Sequence, residues 1–252
     1  MNYTWHWQVL LEAEPGGTGS YLHYLIVGLG WTLATALAAW VIALAFGALV
    51  GTLRTTPMKW VVRAGNLYVE IFRNVPLIVQ MFLWFFVLPE LMPKGIGDWM
   101  KQMPPPWGSY LPAVACLGIF TSVRVAEQVR AGINSLPRGQ RMAGIATGLT
   151  EAQAYRYVIL PQAFRIILPP LTSEFMNIIK NSSVALTIGL LELTGRARSM
   201  QEFSFRVFEA FTAATVIYIL TNLIVVLAMR ALEKKVHVPG LIAAGGAPQA
   251  GH

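Results

Sequence analysis

Apolar residues along this 252-residue chain come in long unbroken runs instead of alternating with polar ones. Charge-free stretches cover 15–53, 74–89, 102–123, 181–191 and 210–229. A helix needs about 20 apolar residues to cross a hydrocarbon core. The runs therefore predict helices over 24–50, 67–88, 110–130 and 210–231, with Glu70 and Arg73 near the start of the second. A further apolar stretch, 167–193, carries Glu174 and Lys180 and is interrupted by Pro169, Pro170 and then Asn181, Ser182 and Ser183. Broken helices persist at membrane depth where they pack inside protein or line a wet cavity. The pattern predicts an all-α integral membrane bundle of five transmembrane helices.

Composition supports the same class. Only 12% of residues are charged and the mean hydropathy is +0.54, against about 25% charged for a soluble domain. The net charge of +7 does not mark a nucleic-acid binder, because the basic residues lie between apolar runs and so report topology. Arg54, Lys59 and Arg63 follow the first helix, and Arg130, Arg138, Arg141, Arg156 and Arg165 follow the third; the first 23 residues hold no Lys or Arg. The positive-inside rule then places the N-terminus outside and the C-terminus in the cytoplasm. Three parts are expected: an extracytoplasmic segment, 1–23; a membrane domain, 24–238; and a disordered cytoplasmic tail, 239–252, rich in Gly and Ala. The first apolar run has no basic region before it and is too long for a cleaved signal, so it is expected to remain as a span. Cys116, the single cysteine, is read as a small core hydrophobe.

Several chemistries lack their residues. A phosphate-binding loop needs a Gly-Lys pair, and none of the six lysines follows a glycine. The four histidines form no His-Glu-x-x-His set. No cofactor or metal is expected on this chain, and any ATP must be held elsewhere.

Between about 131 and 165 lies a loop too polar to span and too patterned for a flexible linker. In 139–150, Met142, Ile145, Ala146 and Leu149 form one apolar stripe on a short predicted helix. Such a stripe either enters a partner's groove or packs against the protein's own helix ends, and periodicity alone leaves both open. Pro161 is expected to stop or kink the helix leading to the next span.

These residues also carry a resemblance. Ser135-Leu-Pro-Arg-Gly-Gln140, Gly148 and Val158-Ile-Leu-Pro161 resemble the cytoplasmic loop of the membrane permeases of ABC importers. Tyr68-Val-Glu-Ile-Phe-Arg-Asn-Val-Pro-Leu77, Ala126-Glu127 with Arg130-Ala-Gly-Ile133, and Lys180-Asn-Ser-Ser-Val-Ala-Leu186 resemble the polar amino acid branch, and Arg73-Asn-Val-Pro-Leu-Ile-Val-Gln80, the stretch from Cys116 to Arg130 and Ser135 to Gln140 resemble its glutamate/aspartate importers in particular. The resemblance covers about 20–238. It implies an inner-membrane permease without its own ATPase site, paired with a second permease (a sister chain or a copy of itself), an ATPase dimer carrying ATP and magnesium, and an extracytoplasmic amino-acid-binding protein. Gly139, Gln140, Arg141, Met142, Ala143, Gly144 and Ala146 then form the coupling helix seated on the ATPase, with Gly148, Leu160 and Pro161 completing the motif. One departure stands out: such helices usually begin Glu-Ala-Ala, and here the residues are Met142-Ala143-Gly144. The contact must then rest on apolar packing and backbone.

Charges inside a span cost about 2.5–3.5 kcal/mol each on insertion scales. Glu70, Arg73, Glu127 and Arg130, with Asn74 and Pro76 beside them, are read as a structural or gating group that pairs between helices. Arg124 stands where the branch commonly has Tyr; either it grips the side-chain carboxylate of an acidic substrate or it pairs with Glu127 three residues on. Lys180, Asn181, Ser182 and Ser183 either line the pathway or bond helix to helix. The function expected is inward transport of glutamate and aspartate driven by a separate ATPase. Alternatives are another polar amino acid such as glutamine, or an ion-coupled carrier working alone.

Overall fold

The computed structural model describes residues 3–17 and 19–236, so the tail expected at 239–252 lies outside the described residues. A 3-10 turn (Trp7–Leu11) precedes α1 (Tyr21–Leu53), which opens with the Ser20 hydroxyl accepting from the His23 amide. Next come α2 (Lys59–Asn74) and α3 (Leu77–Phe82), the latter continuing through a π turn (Leu83–Val87) into α4 (Leu88–Leu91). A short α5 (Lys94–Lys101) leads to α6 (Trp107–Asn134). Then α7 (Arg138–Ala146) and α8 (Glu151–Ala154) follow, and a second π turn (Tyr155–Ile159) carries the chain into α9 (Leu160–Asn181). A 3-10 stretch (Ser182–Ile188) ends at Gly189, whose φ of 86° needs a residue without a side chain. Last are α10 (Leu193–Ser204) and α11 (Val207–Val236). Among the described residues, α1, α6 and α11 are long and apolar enough to cross a membrane.

The bundle is built around the pair α1 and α6. Along α1 the residues at the contact are small: Ala36, Ala39, Ala43, Gly47 and Gly51 recur every three or four positions and are all buried, and Gly28 and Thr32 continue the stripe against the start of α10. The fit is close enough that a Cβ on Gly47 would stand 2.5 Å from Val125, and one on Gly118 would stand 2.7 Å from Ile42. Hydrocarbon offers no hydrophobic drive between apolar helices, so close backbone approach supplies the attraction. A second junction of this kind joins α6 to α9, where Gly132 faces Ile167. Cys116 is fully buried in the central core.

Three expectations are corrected. The helix read as continuous over 67–88 breaks at Val75 and Pro76, and its halves meet at 100°. A residue before proline is driven out of the helical region, and Val75 is extended. The carbonyls freed at the break are satisfied by Gln80, a buried side chain whose amide donates to Phe72 O at 2.8 Å and Val75 O at 2.9 Å. Pro161, expected to stop or kink its helix, does not stop it. The π turn just before it opens the ladder where the proline has no N–H and its ring crowds the carbonyl four residues back, and the same device precedes Pro89. Nor do Pro169 and Pro170 interrupt α9, which is helical to Asn181 and changes character only from Ser182 on.

Candidate functional site

The loop between α6 and α9 forms a compact module. The helix expected over 139–150 ends at Ala146, because Gly148 turns the chain with a φ of 92°. Thr150 then starts α8 with a reciprocal cap: its hydroxyl accepts from the Gln153 amide, and the Gln153 side chain accepts from the Thr150 amide at 2.9 Å. Arg141 of α7 grips Glu151 of α8 with two bonds of 2.9 and 2.6 Å. These bonds hold the Glu151 carboxyl below the usual carboxylate range. The Tyr155 hydroxyl donates to Thr55 O at 2.9 Å and ties the module to the end of α1.

Within the module Gly144 faces inward, packed against Ala154, Leu149 and Val158. The opposite side is left open: Met142 is 63% exposed and Ile145 41%, with Ala143 and Ala146 exposed beside them. Of the four stripe residues only Leu149 is half-buried. The stripe is thus largely uncovered by the chain's own helix ends. Met142 and Ile145 border an open groove of about 670 Å³ that also touches Ile133, Leu136 and Tyr155. Gly139 and Gln140 are exposed at the start of α7, and the Gln162 amide donates to Gln140 Oε1 at 3.5 Å. Leu160 is half-buried and Pro161 exposed where α9 begins.

The charges inside the bundle divide into two groups. Arg124 does not pair with Glu127. It reaches Glu174 of α9 at 3.6 Å and lies over the Phe120 ring, 5.0 Å from its centre. Glu127 pairs instead with Arg54, at 2.9 Å, and Arg54 also donates to Asn66 at 2.8 Å. Glu70, Arg73, Glu127, Arg130, Arg54 and Asn66 surround one cavity of about 270 Å³. The expected group is therefore brought together, but the pairing expected of it is made only by Glu127. Among the described residues Glu70, Arg73 and Arg130 form no ion pair. Asn74 ends α2 and Pro76 leads α3.

Beyond Lys180, which is exposed, the polar run at the end of α9 looks to itself. Ser182 donates to Ile179 O at 2.8 Å and Ser183 to Lys180 O at 2.7 Å, so neither hydroxyl donates to another helix; Asn181 is half-buried. Two residues escaped the sequence reading. Arg54 is visible there only as the first charge after a long apolar run. Glu192 is fully buried and joins three helices: it caps α10 through the Gly195 amide at 2.8 Å and accepts from Tyr218 of α11 at 2.8 Å and Thr32 of α1 at 3.2 Å. Its signal was a cap, an acid three residues before a glycine amide at a helix start.

Residues 43–238 match the family described as binding-protein-dependent transport system inner membrane component. The chain belongs to this family. The glutamate/aspartate import permease protein GltJ of Escherichia coli (strain K12) is 48% identical over 241 residues, covering 95% of this chain and 98% of that protein. A probable glutamine ABC transporter permease protein, GlnM of Bacillus subtilis (strain 168), is 33% identical over 206 residues, covering 79% of this chain and 88% of that one. Among solved structures, a crystal structure of an amino acid ABC transporter with histidines superposes with a TM-score of 0.72 at 31% identity, covering 85% of this chain and 95% of that chain. An inward-facing MetNI methionine ABC transporter gives a TM-score of 0.70 at 19% identity, covering 86% and 98%, and shares the fold. As an inner membrane component of such a system, the chain is a transport subunit whose ATPase is a separate subunit.

Proposed function

We propose that the chain is the permease through which glutamate and aspartate pass inward, in an importer completed by a second permease, two ATPases that hold ATP and magnesium, and an extracytoplasmic binding protein. The observation that carries the coupling role is the uncovered apolar side of α7, Met142 with Ile145, held on a module braced by Arg141 and Glu151. The 48% identity with a glutamate/aspartate import permease supports the substrate class. Five crossings are assigned: α1, the part of the bent pair beyond the bend (α3 through α4, with α2 lying at the membrane surface), α6, α9 and α11. The N-terminus lies outside and the α7 module in the cytoplasm, in keeping with where Lys and Arg fall.

In this reading, closure of the ATPase dimer displaces α7, and Tyr155 and α9 pass the movement into the bundle. It is a two-state change biased by a ligand bound on another subunit. Arg124 acts inside the bundle by exchanging its contact with Glu174 for the side-chain carboxylate of the substrate; a guanidinium suits both. Copurification of the tagged chain from mild detergent tests the assembly, and titration of the accompanying binding protein with glutamate, aspartate and glutamine tests the substrate. An ATPase, a permease and a binding protein preferring the acidic pair are expected. A chain that comes out alone and takes up substrate on an ion gradient would overturn the reading.

A further inference from the structure

The cavity beneath α2 has an electrostatic imbalance. Arg54 threads under α2 through the space left by Gly65, where a Cβ would stand 2.6 Å from the Arg54 stem. Its side chain is 4% exposed; Nε is taken by Asn66 and Nη2 by Glu127, while Nη1 is buried without a hydrogen-bond partner among the described residues. A buried guanidinium nitrogen left so is costly. Arg73 and Arg130 line the same cavity without an ion pair, so three guanidinium groups face two carboxylates, Glu70 and Glu127. The set lacks one negative charge with oxygen acceptors.

The outer side of α2 says where that charge comes from. Trp60, Ala64, Leu67 and Ile71 recur at helical spacing and are all exposed, with Lys59 and Arg63 exposed among them. An amphipathic helix carrying an apolar stripe, a tryptophan and basic flanks lies in the headgroup boundary of a bilayer. With Leu77–Leu91 crossing the membrane, the 100° bend lays α2 along its surface. We propose that this cavity holds the phosphate of an anionic phospholipid of the cytoplasmic leaflet, bound by Arg54, Arg73 and Arg130. This rests on the orientation proposed above. Charge-assisted bonds from a fork of arginines suit a phosphate, and the negative inner leaflet concentrates such lipids at basic surfaces.

The test uses the complete importer, stripped by detergent exchange and offered phosphatidylglycerol or phosphatidylcholine, with bound lipid counted by native mass spectrometry. Wild type is expected to retain phosphatidylglycerol over phosphatidylcholine by about tenfold or more, and the Arg73→Gln/Arg130→Gln double variant to lose that preference while keeping its subunits. Equal retention of the two lipids overturns the proposal, as does a preference unchanged in the variant. Displacement of the lipid by millimolar inorganic phosphate would reassign the cavity to free phosphate. Loss of the second permease with the lipid retained would make it a subunit contact. Labelling of Trp60→Cys from either side of the membrane reports orientation separately, so a wrong topology and an empty cavity are told apart.

Discussion

Arg54 Nη2 donates to Glu127 Oε1 at 2.9 Å, joining the end of α1 to α6 from a side chain 4% exposed to one 38% exposed. Removing the carboxylate strands the buried partner. Breaking a fully buried pair costs about 3–5 kcal/mol, and the half-open carboxylate brings the expected cost of Glu127→Ala to about 2 kcal/mol. Glu127→Gln keeps an acceptor oxygen and should lose less. Thermal unfolding of the detergent-solubilised complex ranks them; midpoints of both variants equal to that of wild type would mean the pair contributes nothing.

Gln80 replaces hydrogen bonds that the helix break removes. Gln80→Leu leaves two carbonyls without donors and should cost about 2 kcal/mol or more. Its effect should concentrate at the break. Hydrogen exchange of 72–80 should accelerate before that of α6 does, and uniform acceleration would contradict this local role.

The α1–α6 contact yields a contrast within one helix. Gly47→Ala places a methyl 2.5 Å from Val125 and should destabilise by about 1–3 kcal/mol. Gly30→Ala meets nothing within 4 Å and should be neutral or stabilising by up to about 1 kcal/mol. If both variants unfold at the same temperature, tight packing is not what holds the two helices together.

The long apolar helices were legible because their runs exceed what any soluble element needs, and α1, α6 and α11 lie where hydropathy puts them, within a few residues. The stripe of small residues on α1 was equally present in the sequence and carries the packing, but a search for charge and hydropathy passes over it. The break at Pro76 was hidden because apolar residues continue across it. Other prolines misled in the opposite direction: α9 runs through Pro169 and Pro170, and a π turn absorbs Pro161 without ending the helix. Arg124 shows the limit at the candidate site, since spacing along one helix offered Glu127 as its partner while the fold brings up Glu174 from 50 positions away.

The Arg141–Glu151 clamp should respond to acid. Because the folded-state pKa of Glu151 is lowered, the clamp contributes in full above the ordinary glutamate range, about pH 4.3, and that contribution is lost as pH falls through the folded value. Exchange protection of 138–154 should therefore be flat from pH 5 to 8 and fall only in stronger acid. In Glu151→Gln this acid step should vanish. Protection that declines already between pH 7 and 6 would assign control to another group.

The most direct measurement is glutamate uptake into proteoliposomes holding the complete importer with ATP trapped inside, compared for wild type, Met142→Asp and Ile145→Asp. Uptake is expected to require ATP and the binding protein, and to fall at least tenfold in both variants as ATP hydrolysis uncouples from transport. Uptake unchanged in the variants, or sustained by an ion gradient without ATP, would contradict that expectation.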